Sequence, residues 1–174
     1  MIDTALPPIL GEQPHTLVLG SMPGLQSLKK QQYYAHPRNC FWWIMSEVFS
    51  FQVSLDYPSR CLELIKAGVA VWDVLHQCRR KGSLDSAIER ESEVANDFAW
   101  FFENHSSVRS ILFNGRTAEK LFQRHCSEYS ESNNIRLFSC PSTSPAFAAM
   151  SHQQRFEYWQ CSLNGTINEW RQRT

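Results

Sequence analysis

No charge of either sign predominates in this sequence: its 174 residues carry 17 lysines and arginines against 17 aspartates and glutamates. A global basic field that would draw nucleic acid to any face is excluded, so a polyanion would have to be held by local patches and backbone amides. No apolar run approaches the roughly 20 residues of a membrane-spanning helix, and no membrane partner is expected. Residues 1–8 lack the basic start and apolar middle of a secretory signal, which makes the cytoplasm the expected setting. Cys40, Cys61, Cys78, Cys126, Cys140 and Cys161 form no CxxC pair. They read as reduced, mostly buried thiols, with no metal site expected. Repeats, linkers and low-complexity segments are also missing, so residues 1–174 are expected to form one domain, acting as a monomer.

What is present is a globular composition, 43% hydrophobic and 13% aromatic, and one organising stretch. Residues 16–19 are a short apolar run that reads as a buried strand. It breaks at Gly20, Ser21, Met22, Pro23 and Gly24, where glycine and proline punctuate the backbone. A polar loop with Tyr33, Tyr34, His36, Pro37, Arg38 and Asn39 leads into a helix over 41–51.

Downstream the pattern alternates. A helix is expected over 56–67, with Pro58 in its first turn. A strand over 68–73 ends in Asp73, and a basic turn follows at 79–83, where Ser83 would cap a short helix over 84–90. Further helices are expected over 94–104 and 116–126, and strands over 108–113 and 135–138. An amphipathic tail helix over 151–171 carries Phe156, Trp159, Leu163 and Ile167. The expected fold is α/β, a three-layer αβα arrangement around a central four-stranded, mainly parallel sheet. In such a sheet the carboxyl ends of the strands share one edge. Residues 20–24, Asp73, Asn114 with Gly115, and 141–145 should therefore converge on one crevice.

The segments GSMPG (20–24), AHPRNCFW (35–42) and PSTSPA (141–146) resemble the uracil-DNA glycosylase superfamily. GVAVWDVL (68–75), GSLDSAI (82–88) and FNGRTA (113–118) extend the likeness over nearly the whole chain. The most similar branch is that of the deoxyinosine (hypoxanthine) DNA glycosylases; mismatch-specific uracil and thymine-DNA glycosylases are more distant. The resemblance implies a cofactor-independent enzyme of base excision repair acting on double- or single-stranded DNA with deaminated bases. Such enzymes extrude the damaged nucleotide into a pocket and hydrolyse its N-glycosidic bond. No lysine matches a lyase motif, so a monofunctional enzyme is expected. Excision of uracil, xanthine or mismatched bases, or DNA binding without catalysis, are the alternatives.

The resemblance also assigns candidate residues. Asn39 would be catalytic, orienting water or binding the base; position alone, just ahead of an apolar helix, favours a cap, the motif context favours catalysis, and the two roles are compatible. Met22 departs from the uracil branches, which place a carboxylate or amide there, because a thioether is only a weak acceptor. Tyr34, with Tyr33 as the alternate, would stack on the base or simply pack the loop, and His36 would be a structural hydrogen bonder. Asp73 would accept from the base or hold water, or else cap a turn. Asn114 would line the base pocket with Gly20, Ser21, Met22, Pro23 and Gly24, or cap the helix after it. Ser142, Thr143 and Ser144 suit DNA phosphates. Arg38, Lys29, Lys30 and the cluster Arg79, Arg80 and Lys81 are backbone-contact candidates. The bulky wedge of this loop is either absent or supplied by Phe147 or Met150.

Overall fold

The computed structural model describes residues 2–132 and 134–171. In chain order its elements are β1 (Ile2–Thr4), β2 (Thr16–Gly20), α1 (Leu25–Lys30), α2 (Phe41–Phe49), α3 (Tyr57–Lys66), β3 (Val69–Asp73), β4 (Leu75–Arg79), β5 (Val94–Ala95), α4 (Phe98–Asn104), β6 (Ser110–Asn114), α5 (Arg116–His125), α6 (Ser127–Ser132), β7 (Arg136–Cys140) and α7 (His152–Arg171). Single 3-10 turns at Asp85–Ala87 and Arg90–Ser92 lie between β4 and β5.

The apolar runs of β2 and β3 are buried at every position, as strands covered on both faces must be. They lie side by side in a four-stranded parallel sheet in the order β3-β2-β6-β7, with β2 and β6 at its centre and helices on its faces. Register carries this arrangement to the site: Gly20 is paired with Asp73, and Asn114 with Cys140, so all four strands end on the same edge. The expected αβα fold is what forms.

Local chemistry sets the helix starts. Asp56 Oδ1 accepts from Ser59 N–H at 2.9 Å and caps α3. Asp97 does the same for α4 through Trp100 N–H, 2.9 Å. Consequently the helix expected over 94–104 begins only at Phe98, and Val94–Ala95 pairs with β4 instead. The helix expected over 84–90 is reduced to the 3-10 turn Asp85–Ala87. Ser83 caps another element, its Oγ accepting from Leu25 N–H of α1 at 2.9 Å. The basic cluster is likewise redistributed. Arg79 lies in β4, whereas Arg80 is a buried residue paired with Asp3 at 3.0 Å, so it is no DNA contact.

A second sheet, antiparallel β1-β4-β5, was not expected from sequence. Its strands are two to five residues long and lack a sustained apolar alternation. The cysteines are unpaired, and Cys40, Cys78, Cys126 and Cys140 are buried. Trp159 of α7 is fully buried, with its ring edge-on to Phe41 of α2. The side chain of Ile167, expected on the same apolar face, lies outside the described residues. No helix among the described residues is long and apolar enough to cross a membrane.

Candidate active site

The sheet edge opens into a cavity of about 740 Å³, within the range of small-molecule sites, about 300–1,000 Å³. Its walls include residues 20–24, Tyr34, Arg38, Asn39, Asp73, Asn114, Ser142, Thr143, Ser144 and Phe147. Five segments distant in sequence thus meet around one space, and every residue singled out above for the pocket or catalysis borders it. Ser142, Thr143, Ser144 and Phe147 border it too, whereas Met150, the alternative wedge, does not.

Gly20 is required at the floor because a Cβ there would overlap Asp73 Oδ1 and lie 3.3 Å from Tyr34 Oη. The bend is fixed by Val74 N–H donating to Gly20 O at 2.9 Å and Leu75 N–H donating to Ser21 O at 3.0 Å. The guanidinium of Arg80 donates to Pro23 O from below. Met22, 5% exposed, packs into the core beside these groups.

Along the loop, Tyr34 adopts a positive φ of 54° and its ring stacks on Phe41 with centroids 4.0 Å apart. Its hydroxyl is buried without a hydrogen-bond partner among the described residues. Burial, then the nearby Asp73 charge, pushes the phenol pKa well up, with the Asn114 amide opposing. His36 Nδ1 accepts from Arg38 N–H at 3.1 Å, bracing the loop. Asn39 Oδ1 accepts from Phe41 N–H at 2.9 Å, an Asx-type turn that satisfies the first amide of α2, while the N-cap position itself is Cys40. That bond fixes which end of the amide is oxygen and leaves its NH₂ group uncommitted to the Phe41 contact, in a half-buried residue that borders the cavity.

Asp73, 3% exposed, leaves Oδ2 without a partner among the described residues and caps no turn. Burial first, then the charge of Asp85, raises its pKa to about 8, while Arg80 acts against the rise. Asp85 itself accepts from Ser21 Oγ at 2.7 Å, and burial raises its pKa as well. Sequence reasoning did not single out Asp85, although the GSLDSAI segment that carries it was part of the likeness; its partner lies 64 residues away.

Across the cavity, Asn114 does not cap α5, which starts at Gly115 with φ of 95°. Its Nδ2 donates to Thr143 Oγ1 and its Oδ1 accepts from Thr143 N–H, both at 2.8 Å. Thr143 is fully buried by this clamp, so its side chain supports the loop from beneath instead of facing a phosphate. Arg155 of α7, also missed, holds the other side of the loop. It donates to Ser144 O at 3.2 Å, to Met150 O at 3.1 Å and to Phe147 O, and its guanidinium lies over the Phe147 ring at 5.4 Å. No cluster of metal-ligating side chains occurs among the described residues.

A family model described as the uracil DNA glycosylase superfamily matches residues 7–162. This chain belongs to that superfamily. The glycosylase is 36% identical over 119 residues to a protein of Methanosarcina acetivorans named hypoxanthine DNA glycosylase, covering 68% of this chain and 74% of the relative. A protein of the same name from Methanosarcina barkeri is 33% identical over 117 residues, 67% of this chain and 73% of that one. Among solved structures, the solution NMR structure of a candidate uracil DNA glycosylase from Methanosarcina acetivorans superposes with a TM-score of 0.80. That match has 30% identity and covers 95% of this chain and 99% of the other. The glycosylase is therefore a DNA-acting enzyme.

Proposed function

We propose that the glycosylase hydrolyses the N-glycosidic bond of deoxyinosine and releases hypoxanthine from DNA, acting as a monofunctional monomer without a cofactor. The observation that carries this reading is the pairing of Asn39 with Met22 at one cavity. The amide is oriented by Phe41 N–H, and the bend offers a thioether in place of a water-holding carboxylate. Polar work at the reacting centre then falls to Asn39.

Cleavage passes through an oxocarbenium-like sugar and a base departing with negative charge. Asn39 would hold the attacking water or the base through its NH₂ group while Oδ1 stays fixed. Hypoxanthine presents a carbonyl at position 6 and an N–H at position 1, the reverse of adenine, so fixed donors and acceptors can tell them apart. Tyr34 supplies the aromatic face at the cavity wall, where base stacking contributes about 1–3 kcal/mol. Arg38, Ser142 and Ser144 border the mouth and are assigned to the DNA backbone, with Phe147 as the wedge.

Labelled duplexes with a single inosine, uracil or xanthine, treated with protein and then alkali, test this. Strand scission at inosine is expected. Scission at uracil alone would overturn the substrate assignment, and none at any lesion would leave a DNA-binding relative without catalysis.

A further inference from the structure

We propose that Asp73 and Asp85 act as one carboxyl pair at the cavity floor, Asp85 as the ionised positioning member and Asp73 as a neutral acid that hydrogen-bonds the extruded base. The inference rests on the reading that this cavity receives a base. It adds a residue, Asp85, that the deoxyinosine assignment does not use.

The two carboxyls are served very differently. Asp85 takes a hydrogen bond from Ser21 Oγ at 2.7 Å, which favours its charged form. Asp73 is almost completely buried, and its Oδ2 has no partner among the described residues. A buried, unpartnered carboxyl oxygen bordering a cavity is an unmet hydrogen-bonding demand that a ligand can meet. The hydroxyl of Tyr34 beside it is in the same condition.

The charged and titratable groups around Asp73 are Asp85 from the 3-10 turn, Arg80 from the end of β4, and Tyr33 and Tyr34 from the loop after α1. Arg80 is engaged by Asp3 and Pro23 O and does not form an ion pair with Asp73. Asp73 lies against Gly20 and Asp85 is bonded to Ser21, the next residue of the bend, with both bordering the cavity. Two carboxyls that interact in such a site titrate as a pair, and one proton stays between pH values where a lone carboxyl would have lost it. Burial and Asp85 place that proton on Asp73.

A neutral carboxyl donates through O–H and accepts through C=O, the complement of the lactam edge of an oxopurine. When the C1′–N9 bond breaks, its electron pair stays with the base, and part of the charge collects on the lactam oxygen. The O–H bond to that oxygen strengthens as charge develops, and Asp73 keeps its proton. An ionised Asp73 would oppose the same charge.

The test is single-turnover excision from an inosine duplex across pH, with the Asp73 carboxyl followed by ¹³C NMR in the free protein. The excision rate and the carboxyl resonance are expected to titrate together near pH 8, the rate falling as pH rises. Asp85→Asn removes a like charge, so both midpoints should move to lower pH. Asp73→Asn keeps a donor and an acceptor and should lose the limb while retaining excision to within about tenfold. Asp73→Leu should lower kcat by about 100-fold or more with little change in KM; melting curves establish that each variant folds. A rate without an alkaline limb, midpoints unmoved by Asp85→Asn, or a folded but inactive Asp73→Asn would each overturn the pair. Wild-type protein inert on inosine at every pH would refute the substrate assignment instead, and the NMR titration would still decide on the pair.

Discussion

Tyr34 combines two local costs, a left-handed backbone at φ 54° and a buried hydroxyl with no partner among the described residues. Each is of order 1–3 kcal/mol, and such features persist where surrounding packing imposes them. Here the imposing contact is the stack on Phe41. Tyr34→Phe removes the orphaned oxygen and retains the ring, so its melting temperature should equal or exceed that of wild type. Excision of inosine should weaken, because the lost hydroxyl is the one left over for a ligand. Asn39 gives the opposite pattern. Asn39→Ala deletes the oxygen that satisfies the first amide of α2 and should cost about 1 kcal/mol of stability in denaturant titrations. Excision should fall by about 100-fold or more on the same folded protein. Turnover surviving with only stability reduced would make the residue a structural support and nothing more.

At the scale of elements, the loop between β7 and α7 is tied down twice, by Asn114 through Thr143 and by Arg155 through three backbone carbonyls. Arg155→Met should release residues 144–150 and weaken DNA binding. It should also destabilise the fold by about 1–3 kcal/mol, since those carbonyls lose a buried donor; amide exchange across the loop would report the release. The sequence made the loop's composition visible but not its restraints. The strands β2, β3 and β6 were legible because each is a short apolar run bounded by punctuation, and their common edge follows from parallel pairing. Asp85, Arg80 and Arg155 were not legible. Asp85 and Arg80 act on partners 64 and 77 residues away, and a side chain's distant partner has no local periodicity to betray it. Arg155 grips backbone carbonyls of the loop just ahead of it, which any residue carries. The antiparallel sheet escaped for a related reason: its strands are too short for alternation to stand out.

For the whole molecule, the neutral Asp73 couples stability to pH. In the unfolded chain this carboxyl ionises near 3.8, in the folded protein near 8. The folded state therefore holds a proton that the unfolded state has lost, and stability falls as pH rises between those values, by up to about 1.4 kcal/mol per pH unit. Thermal melts should show wild type losing stability across this window, and Asp73→Asn should flatten the profile and melt higher at its alkaline end. A separate whole-molecule expectation concerns salt. With no net charge to steer it, binding should depend on a few phosphate contacts, and Arg38→Ala should reduce the slope of log affinity against log salt by about 1. The pairing of Asp3 with Arg80 adds a consequence for handling the protein. The first strand supplies the anion that neutralises a fully enclosed guanidinium, and that guanidinium props up Pro23 at the cavity bend. Trimming residues 1–4, or fusing a tag that displaces them, would strand a cation beneath the cavity bend and should blunt activity from a distance. A preparation weakened in that way would mimic an active-site lesion while every residue lining the cavity remained intact.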